Sequence, residues 1–221
     1  MKKVQKMGEV AYILGIPLLA VAVIFLVKAD LGISMVVAPA YLISLKFPWL
    51  SFGMAEYLVQ ALLLLAIIGI NRRFHLSFLF SFVTALYYGL VLDFFIYLMQ
   101  GLEAQGLFQR LLFYGMGITL GSMAISLIFH SYLSPLVYEL FVKEVAKRGK
   151  LVIHHVKMVY DCSSLLVAVV LSLVFFGGIQ GIGLGTLVAA LVNGWIIGQF
   201  SRFFDQYVDF SPRTRLNRFF T

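Results

Sequence analysis

The chain has 221 residues, of which 62% are hydrophobic and 12% are charged, and its mean hydropathy is +0.97. About a quarter of the residues in an ordinary soluble domain are charged. A globule of this length buries only about 70% of its chain surface, so it could not keep so much apolar surface from water. The composition excludes a water-soluble fold. The net charge is +7, and the basic residues lie beside apolar segments. This pattern indicates topology signals and contacts with anionic lipids, so we expect no nucleic-acid partner.

Six apolar stretches are long enough to cross a bilayer, which takes about 20 helical residues. The predicted spans are 8–29, 50–70, 76–99, 107–129, 156–177 and 182–204. Two shorter stretches cannot span. We interpret 35–47 as an interfacial or re-entrant helix, and 134–148 as a helix lying at the interface. The sequence predicts an all-α, polytopic membrane protein with one transmembrane domain, residues 1–221.

Lysine and arginine are concentrated at every second connection. They precede span one, follow spans two and four, and recur in the basic tail, 205–221, whereas the connections after spans three and five have none. The positive-inside rule therefore predicts that both termini are cytoplasmic. Lys28 and Lys46 oppose this assignment.

The two halves of the chain, 8–99 and 107–204, have the same order of predicted elements. Each half has one span, then a short helix, then two more spans. Segment 13–31 aligns without a gap on 115–133. Because each unit has three spans, the second unit enters the membrane from the opposite side. We therefore predict two inverted three-helix repeats, each with a short non-spanning helix, which is the usual architecture of secondary transporters.

Ionisable residues inside predicted spans are functional candidates, because a charge in lipid is costly unless it is paired or faces a cavity. Asp93 is two-thirds along span three. It is either a proton- or cation-coupling carboxylate or a hydrogen-bonded packing residue. Asp161, in span five, is either a substrate contact or part of a close helix contact.

The outer end of span one carries three further candidates, Lys28, Asp30 and Ser34. A helix break there would present backbone amides to a polar ligand. The alternative is a helix cap anchored at the headgroups. In the second half, His130 takes the position of Lys28, and Ser134 takes the position of Ser34.

The last span begins with a glycine-rich segment that contains Gly183, Gly185 and Thr186 and is followed by Asn193. It does not have the spacing or the preceding strand of a nucleotide fingerprint. Its glycines allow a close backbone approach to another helix or to a ligand, and Asn193 could hydrogen-bond across helices. We find no catalytic or metal-ligand motif, so we expect no enzyme activity, no cofactor and no metal.

Three short segments, 28–34, 89–95 and 183–186, together with Gly194, resemble the YczE/YyaS/YitT group of bacterial membrane proteins. The resemblance covers nearly the whole chain. It implies a bacterial plasma-membrane protein and no established activity. Met35 stands where that group has a proline, which weakens the case for a symmetric binding site.

Our leading hypothesis is a small-solute transporter, or its membrane subunit, with an ion or small-molecule substrate between the two repeats. The site would lie near Ser34, Asp93, Asp161 and 183–186. The alternative is a non-transporting scaffold or regulator that acts through a cytoplasmic partner. Because the chain is short for a complete carrier, a homodimer or a partner subunit is also open.

Overall fold

The structure is a computed structural model that describes residues 8–72, 76–131 and 133–210, without the side chains of Leu76, Ser77 and His154. The described chain forms eight helices: α1 Gly8–Ala29, α2 Ala38–Lys46, α3 Phe52–Asn71, α4 Leu76–Leu98, α5 Leu107–His130, α6 Val137–Gly149, α7 Ile153–Phe176 and α8 Leu184–Tyr207. All but α2 and α6 are long and apolar enough to cross a membrane. The chain is therefore an all-helical, multi-pass membrane protein. The N-terminal lysines and the basic tail after residue 210 lie outside the described residues.

Local signals set the helix boundaries. The hydroxyl of Ser51 accepts a hydrogen bond from the Met54 amide and caps α3. The first helix ends where Asp30 adopts a left-handed conformation, with φ at +52°. The two short helices begin three residues later than predicted, at Ala38 and Val137, because a turn at 35–37 precedes α2 and an irregular segment at 134–136 precedes α6.

The spans pack as two parallel pairs joined by a central antiparallel contact. One hydrogen bond links α1 to α4, and a second links the end of α1 to the turn after α4. In both bonds the two residues are 72 positions apart in the sequence. Bonds from α5 to α8 have separations of 71 to 75 residues. Constant separation means that the helices of each pair run in the same direction. Gly15 of α1 lies against Ile128 and Gly117 of α5 lies against Leu26, so α1 and α5 run in opposite directions.

Each short helix runs along a span of the other half. The hydroxyl of Ser164 donates to the Met35 carbonyl before α2, and Lys46 at the end of α2 donates to the Phe175 carbonyl. Both bonds join residues 129 apart, so α2 runs parallel to α7. Ser164 lies near the middle of α7 and Phe175 near its end. The N-terminal end of α2 is therefore level with the middle of α7, as expected for a re-entrant helix.

The second short helix has the same arrangement on α3. The Val137 amide donates to Gln60 in the middle of α3, and the Asn71 side chain at the end of α3 donates to Glu144. The start of α6 thus contacts the middle of α3 and a later part of α6 contacts the end of α3, so α6 runs parallel to α3. Unlike a helix that lies flat at the interface, as predicted for 134–148, α6 packs along α3 with its N-terminal end level with the middle of that span, and we refer to α2 and α6 as the re-entrant helices. The apolar positions of α6, among them the buried Val137 and Leu140, face protein and not headgroups.

Candidate functional site

A cavity of about 510 Å³ lies in the middle of the helix bundle. Its walls are α1, α5, α7 and α8, together with the N-terminal ends of both re-entrant helices. The lining is mainly apolar, and its polar members are Ser34, Tyr88, Tyr138, Glu139, Lys157, Asp161, Thr186 and Asn193. Small-molecule sites typically measure about 300 to 1,000 Å³ and combine apolar walls with a few polar groups. The cavity has the size and lining of a small-molecule site.

The two re-entrant helices present their N-terminal ends to the cavity in different electrostatic states. A helix N-terminus carries a partial positive charge from its unpaired amides. At α6 this charge is offset, since Glu139 lies in the first turn and Gln60 accepts the Val137 amide. The first turn of α2 has no acidic residue, and no side chain caps it. The α2 end therefore has no side-chain charge to offset its dipole, although the Val37 and Ala38 amides donate to the Ser34 carbonyl.

The charged groups on the cavity wall lie on α6 and α7. Lys157 and Asp161, one turn apart on α7, form an ion pair of 2.7 Å, and the Lys157 ammonium lies 5.7 Å from the centre of the Tyr160 ring. The Glu139 carboxyl has a buried Oε2 atom with no hydrogen-bond partner among the described residues.

A buried polar cluster lies between α3 and α6, directly behind the cavity wall. Its centre is Glu56, whose side chain is fully buried, as is that of Gln60. The Tyr138 hydroxyl donates to Glu56 Oε2 at 2.7 Å, and the Gln60 amide group lies 3.4 Å from the same oxygen. Within the described chain, Glu56 Oε1 and the Tyr88 hydroxyl are buried and have no hydrogen-bond partner.

Sequence analysis did not single out Glu56, although the necessary signal was present. Glu56 lies inside the predicted span 50–70 and is an acidic residue in a long apolar stretch. The rule that drew attention to Asp93 applies to Glu56 equally.

Four of the predicted site residues do line the cavity: Ser34, Asp161, Thr186 and Asn193. They come from three separate parts of the chain, and the helix packing brings them together. Asn193 also accepts a hydrogen bond of 3.3 Å from Ser122, so it connects α8 to α5 as expected for a helix-packing amide.

Asp93 does not line the cavity and instead holds the start of α3. Its Oδ2 atom accepts a hydrogen bond of 2.5 Å from the Ser51 hydroxyl, and its Oδ1 atom accepts one of 2.7 Å from the Gly53 amide. A carboxylate at a helix N-terminus is stabilised by the helix dipole. Gly53 also packs against Gly89, which brings α3 and α4 into close contact. The geometry matches the packing alternative for Asp93.

The candidates at the ends of α1 and α5 lie at helix junctions. Lys28 donates to the Gln100 carbonyl, and Asp30 forms an exposed ion pair of 3.3 Å with Arg110. Neither side chain lines the cavity.

In the second half, His130 contacts the Ser126 carbonyl with Nδ1 and Asp205 with Nε2. The Ser134 carbonyl accepts a hydrogen bond of 3.2 Å from Thr84. These two candidates therefore connect α5 to α8 and the loop before α6 to α4.

The glycines at the start of α8 are required for backbone packing. The Gly185 amide donates to the Leu31 carbonyl at 2.9 Å. A Cβ atom on Gly185 would lie 2.6 Å from that carbonyl oxygen and 2.7 Å from the Tyr114 ring. A Cβ atom on Gly183 would also overlap the Leu31 carbonyl. Of the two interpretations offered by the sequence, these contacts match close approach to another segment of the chain.

Residues 6–202 match a family of unknown function, DUF6198. No curated protein and no solved structure matches the chain.

Proposed function

The chain belongs to the family of unknown function DUF6198, and we propose that it is a secondary transporter, or its membrane subunit, for a small solute. The observation that carries this proposal is the central cavity of about 510 Å³. It lies where the N-terminal ends of two re-entrant helices approach each other at mid-depth. Transporters commonly bind substrates at this depth, beside helix ends that point into the membrane.

The helix packing supports the proposal that the chain consists of two inverted repeats, 8–99 and 107–204. The contact of α1 with α4 corresponds to that of α5 with α8. The contact of α3 with α6 corresponds to that of α7 with α2. These pairs are related by exchange of the two halves, as expected for a two-fold axis in the membrane plane.

Polar positions on α3 and α7 also correspond. Glu56 and Gln60 occupy the same places after the N-cap of α3 as Lys157 and Asp161 occupy after the N-cap of α7. Each pair is joined one turn apart on its helix, by an amide hydrogen bond in α3 and by an ion pair in α7. The two halves therefore carry polar pairs at equivalent depths.

The repeats differ at one contact, and the cavity lies there. In the first half, α3 packs along α4 through Gly53 and Gly89. Among the described residues, α7 and α8 have no comparable contact, and both line the cavity. When segment 81–95 is aligned on 186–200, Gly194 takes the position of Gly89, yet it has open space where a Cβ atom would be. We propose that the two halves alternate during transport: the contact between α3 and α4 opens when α7 and α8 close on each other, and the reverse.

The remaining parts of the proposal follow from charge and resemblance. The distribution of lysine and arginine favours an orientation with both termini in the cytoplasm. The resemblance to the YczE/YyaS/YitT group favours a bacterial plasma membrane. A homodimer or partner subunit is compatible with the short chain.

A matched pair of glycine substitutions tests the cavity as the solute site. Gly194 and Gly198 lie one turn apart on α8, and each has no atom within 4 Å of its Cβ position. Gly194 lines the cavity and Gly198 does not. A solute panel is first screened by thermal stabilisation of the purified protein, since a ligand at about 100 times its Kd stabilises by about 2.7 kcal/mol. We expect Gly194→Leu to abolish both stabilisation and proteoliposome uptake, and Gly198→Leu to retain them.

Equal effects of the two substitutions would contradict a solute site in the cavity. A protein that responds to no solute in a broad panel, but co-purifies stoichiometrically with one protein partner, would contradict transport and favour the scaffold alternative.

A further inference from the structure

Glu56 is a fully buried carboxyl group one turn inside the span α3, and it has no compensating cation among the described residues. It is fully buried, and its hydrogen-bond partners, Tyr138 and Gln60, are neutral donors. Among the described residues, no lysine, arginine or histidine forms an ion pair with it. An ionised carboxylate in such a place is costly, whereas a protonated one is not.

The orientation of the two donors bears on which ion the carboxyl group can bind. The Val137 amide donates to Gln60 Oε1, which fixes the direction of the side-chain amide and turns its NH₂ group toward Glu56. The Tyr138 hydroxyl also donates to Glu56. A metal cation would need further oxygen acceptors around the carboxylate. Both hydrogen-bond partners of Glu56 are instead donors to Oε2, and Oε1 has no partner among the described residues, which suits a site that exchanges a proton.

The cluster is connected to the cavity through α6. Tyr138 touches Glu56 and lines the cavity, and its neighbour Glu139 lines the cavity too. The titratable and charged groups that face this cluster are Tyr138 and Glu139 on α6, Tyr88 on α4, and Lys157, Tyr160 and Asp161 on α7. A proton that enters the cavity therefore meets Glu139 and Tyr138 before it reaches Glu56.

We propose that Glu56 is the proton-binding residue that couples transport to the proton gradient, with Tyr138 as the relay between Glu56 and the cavity. Tyr138 passes its hydroxyl proton to the Glu56 carboxylate at Oε2 and takes a proton from a hydronium ion in the cavity, which becomes water, or from a protonated Glu139 carboxyl, which becomes a carboxylate. Glu56 becomes a neutral acid, and Tyr138 is unchanged. The reverse transfer releases the proton, and the Tyr138 and Gln60 donors stabilise the carboxylate that remains. This inference rests on the proposed transport function and names its coupling ion.

Infrared spectroscopy of the full-length protein in lipid bilayers tests the proton on Glu56 without any solute. We expect a carbonyl stretch from a protonated carboxyl group at pH 7, lost in Glu56→Gln and retained in Glu103→Gln. Glu103 is an exposed carboxylate in the α4–α5 connection and serves as the matched control. If Glu56→Gln does not fold, Glu56→Asp serves instead, and its band should be present but shifted. A band that none of these substitutions changes would overturn the proposal.

The relay is tested by the rate at which the band responds to a pH jump. Tyr138→Phe should keep the Glu56 band but slow its response at least about tenfold, because a positioned proton donor is removed. An unchanged rate would exclude Tyr138 as the relay.

Coupling is tested with whichever solute the panel identifies. A pH gradient should drive its accumulation in proteoliposomes with Glu103→Gln but not with Glu56→Gln. Exchange of labelled for unlabelled solute should persist in Glu56→Gln. Accumulation that ignores the pH gradient would overturn proton coupling while leaving transport standing. Absence of any transported solute would overturn the transport function, and the infrared result would still decide whether Glu56 holds a proton.

Discussion

Among single residues, Asp93 illustrates how an intramembrane acid can stabilise a helix end. It accepts hydrogen bonds from Ser51 and from the Gly53 amide, at the positive end of α3. We expect Asp93→Asn to lower the free energy of unfolding by about 1 to 2 kcal/mol, since it removes the charge at a capped N-terminus. Solute affinity should change little, because Asp93 does not line the cavity. Thermal unfolding and the solute-binding assay measure the two effects.

The control for this prediction is Glu103→Gln, which removes an equal charge from an exposed position and should leave the unfolding free energy unchanged. Loss of solute binding in Asp93→Asn with unaltered stability would show that Asp93 has the coupling role and not the capping role.

Residue types alone could not separate Asp93 from Glu56. Both are single acids in apolar stretches, and the difference arises from what faces them. Asp93 meets a helix N-terminus, whereas Glu56 meets Tyr138, which lies 82 positions further along the chain. Such partners follow from tertiary packing and have no local signature.

At the scale of helices, the α8 start depends on close contact with the segment after α1. Ala at position 185 would place a methyl group against the Leu31 carbonyl and the Tyr114 ring. We expect Gly185→Ala to be about 1 to 3 kcal/mol less stable than Gly198→Ala, because overpacking has this typical cost. Gly185 lies in the first turn of α8 and Gly198 lies inside the helix, so Gly198→Ala also gains the interior helix propensity of Ala over Gly, up to about 1 kcal/mol. The melting temperatures of the two variants measure the difference.

Equal melting temperatures would mean that the segment after α1 moves aside without cost. A loss of solute binding in a stable Gly185→Ala protein would instead favour the ligand-contact interpretation of these glycines.

The spans themselves could be predicted closely, whereas the placement of the short helices could not. Length and hydropathy are local properties, and the six predicted spans match α1, α3, α4, α5, α7 and α8 within a few residues. The depth of α6 depends on the bonds from Gln60 and Asn71 of a distant helix. The amphipathic pattern of α6 fits a helix that lies at the headgroups, and it fits equally well a helix whose apolar face packs against protein.

For the whole molecule, the inverted arrangement predicts that the two short helices end on opposite sides of the membrane. Lys46 is an exposed residue at the end of α2, and Lys147 is one near the end of α6. In a Cys162→Ala background, Lys46→Cys should react with an impermeant thiol reagent from outside intact cells. Lys147→Cys should react only after the membrane is opened, because the positive-inside rule places it in the cytoplasm.

Reaction of both cysteines from the same side would exclude the inverted repeat, and reversed sides would exclude cytoplasmic termini while keeping the repeat. Wild-type protein, whose one cysteine is Cys162, provides the background reactivity for comparison.

The sequence by itself determined that the chain is an all-helical membrane protein with six spans, because the free energy of transfer into lipid depends on the composition and length of each segment. It also identified Ser34, Asp161, Thr186 and Asn193, which the fold brings to one cavity. Only the tertiary structure decided that Asp93 caps a helix and that Glu56 is buried beside Tyr138. It also decided that α2 and α6 turn their N-terminal ends inward. These features depend on contacts between residues far apart in the chain, and helix packing creates them.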